Sequence, residues 1–202
     1  EGTLKLLDTD YLDLFIFHMC EYDTPIEVTM VALHSMVKSG KVRAIGASAM
    51  YGYQFYNMQL AAKENGWTLL SAMENHYNLI YREDERELIP ICKQMNVSLM
   101  PYSPLAAGHL ARAEWKSDSI RGTTDRVAMG KYDRMEKHDI LVVKRVQELA
   151  DKYQCKMSQI AIAWQWAKGI ASPIIGATKA QYLDDAAGAL DIKLTSEDID
   201  YL

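Results

Sequence analysis

The residue of this sequence with the clearest chemical potential is His18, which ends an apolar segment at residues 11–18. Aromatic and aliphatic side chains dominate that segment, which is typical of a buried strand. A helix start signal follows at Thr24 and Pro25. Barrels of alternating parallel strands and helices carry their catalytic side chains at the carboxyl ends of strands. His18 is therefore a candidate catalytic residue, although a lone histidine at a strand end is also often a structural side chain.

Other candidate residues follow other predicted strands. Ser48 and Tyr102 each end an apolar run, and the letters GATK at 176–179 stand between a last apolar run and a helix. A turn of that kind can bind a phosphate through backbone N–H groups, so Thr178 and Lys179 are candidate phosphate ligands. Each residue has an ordinary alternative. Ser48 also suits a helix N-cap, Tyr102 a packed aromatic side chain and Lys179 a solvated one.

The segment at residues 105–139 shows no helical or strand periodicity and contains several glycines and charges. A long irregular segment in a compact domain is usually either functional or disordered. Gly108 permits close backbone approach to a ligand, and Arg112 and Arg121 suit bidentate contacts with phosphate. It is equally consistent with the sequence that both arginines are ordinary exposed surface charges.

The chain alternates predicted strands and helices. Strands are predicted at residues 11–18, 41–47, 68–73, 97–102 and 172–176, and helices at 24–40, 53–65, 83–95, 140–153, 158–168 and 180–190. Strict alternation predicts an α/β fold with a parallel sheet. A (β/α)8 barrel needs about 250 residues, so these five strands would form only part of one. An open doubly wound sheet fits the alternation too, but no GxGxxG motif follows the first strand.

Composition limits the class of protein. The 202 residues are 49% hydrophobic and 24% charged, with a net charge of -5 and no basic block, which argues against a nucleic-acid partner. No apolar run approaches the roughly 18 residues that span a bilayer, so no membrane is expected. The cysteines, Cys20, Cys92 and Cys155, are far apart and predict neither disulfides nor a metal site. We expect a cytoplasmic protein.

Several motifs, in order along the chain, resemble the aldo-keto reductase superfamily. They are His18, DYLDL at 10–14, DTPIE at 23–27, GKVRAIGAS at 40–48, NHYNL at 75–79, REDER at 82–86, PYSPL at 101–105 and IGATK at 175–179. The resemblance is closest to a bacterial and fungal branch of broad aldehyde and ketone reductases. It implies a (β/α)8 TIM barrel that binds NADP(H). Residues 1–202 would form a single domain holding about strands four to eight, with the first three strands upstream and the C-terminal end cut.

The resemblance also implies roles for individual residues at the nicotinamide. His18 would orient the substrate carbonyl, beside a proton-donating tyrosine that lies upstream together with the family's catalytic Asp and Lys. Ser48 would bind the carboxamide, and Tyr102 would stack on the ring. Glu74 stands where relatives usually have Gln, and a carboxylate accepts hydrogen bonds but cannot donate them. Many relatives carry Asn after the serine, whereas this chain has Ala49.

The remaining cofactor contacts would follow the same pattern. The pyrophosphate path would run past Ser103, Leu105 and Gly108, with Arg112 and Arg121 on the loop above it. Gly176, Thr178 and Lys179 would bind the 2′-phosphate. Tyr182 and Asp185 would border the adenine, although Tyr182 and Ala186 depart from the family pattern and Asp185 is a shorter carboxylate than the usual Glu.

The sequence thus predicts an NADP(H)-dependent oxidoreductase that reduces aldehydes or ketones, in a protein of which residues 1–202 alone would be inactive. A regulatory or sensor subunit of the same superfamily, which binds NADP(H) with little turnover, is one alternative. An unrelated TIM-barrel enzyme is another. Exposed strand edges would also favour aggregation or self-association of this span.

Overall fold

The structure is a computed structural model that describes residues 1–116, 123–132 and 135–202. The described chain divides into two compact units. The first comprises Glu1–His76 and Glu83–Met100, and the second comprises Tyr77–Arg82 and Pro101–Leu202. The sequence-based expectation of a single domain stays a prediction, as does self-association through strand edges.

The first unit is built on a parallel sheet. Its strands, in spatial order, are β1 Leu12–Phe17, β2 Val42–Ser48, β3 Leu70–Glu74 and β4 Ser98–Leu99. They confirm the α/β class and the first three predicted strands, whereas the fourth, predicted at residues 97–102, forms only at Ser98–Leu99 and ends before Tyr102. The interior strand β2 is covered on both faces over its second half, where Ile45 and Ala47 on one face and Gly46 and Ser48 on the other are all buried. Gly46 permits this packing, because a Cβ there would lie 2.7 Å from Ile16 Cδ1 and 2.8 Å from the Ala72 carbonyl oxygen.

Helices follow the strands of the first unit. They are α1 Gly2–Leu7, α2 Ile26–Lys38, α3 Gly52–Glu64 and α4 Leu88–Gln94. Met30 and Leu33, three residues apart on one face, are the buried side chains of α2. Residues 83–95 predict a helix with a kink or a restart at Pro90, and the structure has a 3-10 turn at Glu83–Glu85 followed by a separate α4 that begins two residues before Pro90. Pro90 lies in the first turn of α4, where its missing N–H removes no intrahelical bond.

The second unit is mostly helical. It contains a 3-10 segment Ala106–Ala111, α5 Arg126–Tyr132, α6 Glu136–Tyr153, α7 Met157–Ala167, α8 Ala180–Gly188, a 3-10 turn Ala189–Asp191 and α9 Ser196–Tyr201. Trp164 of α7 is fully buried against Tyr77, with ring centroids 5.2 Å apart. The neighbouring Gln165 donates through Nε2 to the Tyr77 carbonyl oxygen at 2.7 Å. None of the described helices is long and apolar enough to cross a membrane.

Two sequence-based predictions fail in this unit. No strand forms at residues 172–176, where Ile174 N donates to the Pro101 carbonyl oxygen at 2.9 Å but no ladder continues. Pro101 and Pro173 each lack an N–H, which removes donors that a ladder would need. The segment at residues 105–139 is not irregular throughout, because it holds the Ala106–Ala111 turn, α5 and the start of α6.

Candidate functional site

Three predicted site residues stand at the carboxyl ends of adjacent strands in the first unit. His18 follows β1 directly and is exposed, Ser48 ends β2 with 1% of its surface exposed, and half-buried Glu74 ends β3. Ser48 and Glu74 are partners in the parallel pairing of β2 with β3. Since the strands are parallel, the three residues lie along one edge of the sheet. The structure thus brings the predicted nicotinamide-end residues of this unit together.

A buried pair that the sequence did not indicate lies beside Glu74. Asn75 is 2% exposed and donates through Nδ2 to Asp84 Oδ2 at 2.9 Å. Burial raises the pKa of the Asp84 carboxyl, the Asn75 bond opposes that shift, and Glu83 adds to it. Within the described residues, Asn75 Oδ1 accepts no hydrogen bond. A buried acceptor without a partner costs free energy, so Asn75 Oδ1 is an unsatisfied polar atom next to Glu74.

The second unit contains a cavity of about 720 Å³. Its lining includes eight of the predicted cofactor residues, namely Tyr102, Ser103, Leu105, Gly108, Arg112, Gly176, Tyr182 and Asp185. This volume is within the range of small-molecule and cofactor sites. Thr178 and Lys179 do not line the cavity and are exposed, and the Lys179 ammonium lies 5.9 Å from the centroid of the Tyr182 ring. Arg121 lies outside the described residues.

Arg112 is a half-buried cation held in a fixed orientation at the cavity. Its Nε donates to the Glu114 carbonyl oxygen and its Nη2 to the Trp115 carbonyl oxygen, both at 3.0 Å. Burial lowers the pKa of Arg112, and the nearby Glu114 partly offsets that shift. Gly108 has φ +99, and a Cβ there would lie 2.7 Å from Arg112 Nη1. The glycine therefore leaves room for a guanidinium whose third nitrogen can contact an anion.

Asn78 fixes the backbone at the cavity wall. Its Nδ2 donates to the Ser103 carbonyl oxygen at 2.9 Å and to Tyr132 Oη at 3.3 Å. Its Oδ1 accepts from the backbone N–H groups of Ile80 and Tyr81. Ser103 adopts φ 57, a left-handed conformation that needs support from its surroundings. The two acceptors of its amide group, Ser103 and Tyr132, are distant in sequence, which is why the local pattern did not reveal this role.

An ion pair between Lys156 and Asp185 also lines the cavity. The sequence predicted Asp185 as a site residue but not Lys156. Lys156 Nζ donates to Asp185 Oδ1 at 2.6 Å. The hydrogen bonds from Lys156 and Gln181 outweigh burial and lower the pKa of Asp185. Lys156 precedes α7 as its N-cap residue, and nothing in the local sequence distinguishes it from a solvated lysine.

The chemistry of the lining fits a phosphate-bearing cofactor. The lining contains two cations, Arg112 and Lys156, but only one carboxylate, so its net charge is positive. Met157 and Ser158, in the first turn of α7, also line the cavity. Backbone N–H groups in the first turn of a helix favour anions. Leu105, Ile162 and other apolar residues complete the wall, as expected for a ligand with an organic portion.

Comparison with known sequences identifies the family. The sequence profile of the Aldo/keto reductase family matches residues 1–202. This chain belongs to the aldo/keto reductase family, which excludes the unrelated TIM-barrel enzyme considered from the sequence.

Curated relatives cover the whole chain. An aldo-keto reductase from Fusarium vanettenii is 42% identical over 203 residues, which are 100% of this chain and 54% of that protein. The versiconal hemiacetal acetate reductase of Aspergillus parasiticus is 41% identical, over 100% of this chain and 59% of that enzyme. A putative aryl-alcohol dehydrogenase of Schizosaccharomyces pombe is 42% identical, over 100% of this chain and 57% of that protein. The chain thus spans little more than half the length of these relatives.

Solved structures show the same relationship. The crystal structure of a thermostable aldo-keto reductase in complex with the inhibitor epalrestat superposes with a TM-score of 0.74 at 27% identity. The match covers 98% of this chain and 61% of the other. The chain therefore has an α/β fold similar to that of an aldo-keto reductase.

Proposed function

We propose that the whole protein is an NADP(H)-dependent oxidoreductase that reduces aldehydes or ketones to alcohols, on a (β/α)8 barrel to which this chain contributes about strands four to eight. Membership of the aldo/keto reductase family supports the reaction class. The observation that carries the cofactor assignment is the cavity of the second unit, where the anchored Arg112 lies beside Gly108. The separate thiols of Cys20, Cys92 and Cys155 fit the proposed cytoplasmic location.

In this proposal the chain binds NADP(H) through the residues already described. Ser48 and Glu74 hold the carboxamide, and Tyr102 packs on the nicotinamide. Ser103, Leu105, Gly108 and Arg112 bind the pyrophosphate, with Arg121 added from outside the described residues. Gly176, Thr178 and Lys179 serve the 2′-phosphate from the turn before α8, while Tyr182 and Asp185 border the adenosine. Thr178 and Lys179 would need to turn toward the ligand, because neither lines the cavity.

The bound nucleotide would supply the hydride. This chain supplies His18, whose imidazole N–H would donate to the carbonyl oxygen as negative charge develops there. The proton would come from a tyrosine in another part of the whole protein. His18 is suited to this task because it is exposed at the end of β1 and accessible to a substrate. Residues 1–202 alone would bind part of the cofactor without turnover.

A second candidate function is an NADP(H)-binding regulatory or sensor subunit with little turnover. The observation that favours it is Glu74, paired with Ser48 at the edge of the sheet. An ionised carboxylate accepts from the amide NH₂ of nicotinamide but cannot donate to its carbonyl. A negative charge there would also favour the positively charged oxidised ring over NADPH.

Steady-state NADPH oxidation by the full-length protein distinguishes these functions. A panel of aliphatic and aromatic aldehydes and ketones is tested, with NADPH binding measured separately by fluorescence titration. Substrate-dependent oxidation over many turnovers is the result expected for a reductase. Tight NADPH binding without turnover on any member of the panel would favour the sensor, and absence of binding would refute both.

A further inference from the structure

The cavity of the second unit contains one cation that the proposed function leaves without a role, Lys156. Its Nζ lies 2.6 Å from Asp185 Oδ1, and Gln181 Nε2 donates to the same oxygen at 3.1 Å. The Asp185 side chain is 15% exposed, whereas the Lys156 side chain is 57% exposed. The carboxylate is therefore fixed between two donors, and the ammonium lies on the open side of the pair.

The charged residues that line the cavity indicate which ligand could replace Asp185 as the partner of Lys156. Arg112, Lys156 and Asp185 are the three charged residues that line the cavity in the described chain. Arg112 is anchored by two backbone carbonyls and stays available to one anion. Lys156 is neutralised by Asp185, but the lysine side chain is more than half exposed, and contact with water weakens its attraction to the carboxylate. A phosphate group entering the cavity can therefore compete with Asp185 for the ammonium.

We propose that Lys156 and Asp185 determine the preference between NADP(H) and NAD(H). Lys156 binds the additional phosphate of NADP(H). In the absence of that phosphate Lys156 is paired with Asp185, and the phosphate replaces Asp185 as its partner. The two nucleotides differ by a phosphate in place of one ribose hydroxyl. A carboxylate accepts from a hydroxyl and repels a phosphate, and an ammonium has the opposite preference. This inference rests on the proposed function, since it assumes that the cavity binds a nicotinamide nucleotide.

Fluorescence titration of the full-length protein with NADPH and with NADH tests the inference without turnover. Lys156→Gln should weaken NADPH binding about tenfold, the loss expected for one charge-assisted hydrogen bond, and leave NADH within about twofold. Asp185→Asn keeps the shape of the side chain and frees the lysine. It should therefore tighten NADPH several-fold and weaken NADH. Lys156→Arg should retain the preference for NADPH.

Lys152→Gln is the matched control. Lys152 forms an ion pair with Asp198 of the same length, 2.6 Å, in the same unit, but neither residue lines the cavity. It should leave the ratio of the NADPH and NADH dissociation constants unchanged. If Lys156→Gln and Asp185→Asn also leave that ratio unchanged while both nucleotides still bind, the pair only joins α7 to α8 and the inference is wrong. A wild-type protein that binds neither nucleotide would instead refute the proposed function, and the inference with it.

Discussion

Ser48 and Glu74 lie opposite each other at the ends of two adjacent parallel strands, and Ala49 N donates to the Glu74 carbonyl oxygen at 3.4 Å. The hydroxyl is buried and the carboxylate half-buried, so the pair presents one neutral and one acidic side chain at the same edge. In the proposed enzyme both contact the nicotinamide carboxamide. In that proposal the acid at this position acts directly on cofactor affinity.

Glu74→Gln should tighten NADPH binding about fivefold, because a glutamine side chain offers both a donor and an acceptor to the carboxamide. Fluorescence titration of the full-length protein measures the effect. Glu64→Gln, at the exposed C-terminal end of α3, controls for the loss of one negative charge. Equal or weaker NADPH binding by the Glu74 variant would contradict the assigned contact.

Gly108→Ala should both destabilise the protein and weaken NADPH binding. The backbone has φ +99, which costs a side chain about 1–2 kcal/mol, and the new Cβ would displace Arg112 Nη1. Thermal unfolding and NADPH titration measure the two effects. Gly130→Ala in α5, where a Cβ meets nothing within 4 Å, should be neutral or slightly stabilising. Unchanged NADPH affinity in the Gly108→Ala variant would remove Arg112 from the phosphate site.

The buried Asp198 carboxylate should make part of the stability acid-sensitive. Burial alone would raise its pKa, but bonds from Lys152, Tyr153 and Thr195 outweigh burial and hold the pKa well below its usual value. A depressed pKa in the folded state stabilises the protein above the unfolded pKa of about 4, and this stabilisation is lost as the pH falls further. Stability should therefore decline steadily below that pH.

Asp198→Asn should lower the free energy of unfolding at pH 7 by about 2 kcal/mol and flatten its dependence on pH below about 4. Urea unfolding at a series of pH values gives both quantities. Asp200→Asn, exposed in the same helix, is the control and should change neither. An Asp198 variant as stable and as acid-sensitive as the wild type would show that these bonds contribute nothing.

Cys92 should resist alkylation in the native protein. Its side chain is fully buried, and burial together with the Asp84 carboxylate raises the pKa of the thiol to about 12. Only the thiolate reacts, so iodoacetamide at about pH 8 should label Cys20 and Cys155, which are partly exposed, well before Cys92. Peptide mass spectrometry with and without denaturant follows the labelling. Rapid native labelling of Cys92 would mean that α4 opens readily.

The sequence predicted the part of the fold that short-range pattern determines. The apolar runs that became β1, β2 and β3 are strands, half-buried in β1 and largely buried in β2 and β3. The strand predicted from the apolar residues at 172–176 does not form, because proline in this segment lacks the N–H donor that a strand would use. The sequence pattern also missed α5, since charged and glycine-containing residues conceal a short helix.

For the site, sequence motifs found residues but not their partners. Tyr102, Gly108 and Asp185 do line one cavity, whereas Thr178 and Lys179 do not. Asn78 and Lys156 were missed because each acts through a contact 25 or more residues away. Such contacts depend on tertiary packing, which neither periodicity nor local spacing reports.

The central claim is that His18, at the end of β1, assists carbonyl reduction in a protein that binds NADPH independently of this residue. The most direct measurement compares aldehyde-dependent kcat and NADPH affinity of His18→Ala with the wild-type full-length protein, with exposed His138→Ala as the control. We expect kcat to fall about 100-fold, the usual cost of losing one donor to a developing oxyanion, while NADPH affinity stays unchanged. Undiminished turnover in the His18 variant would contradict the account.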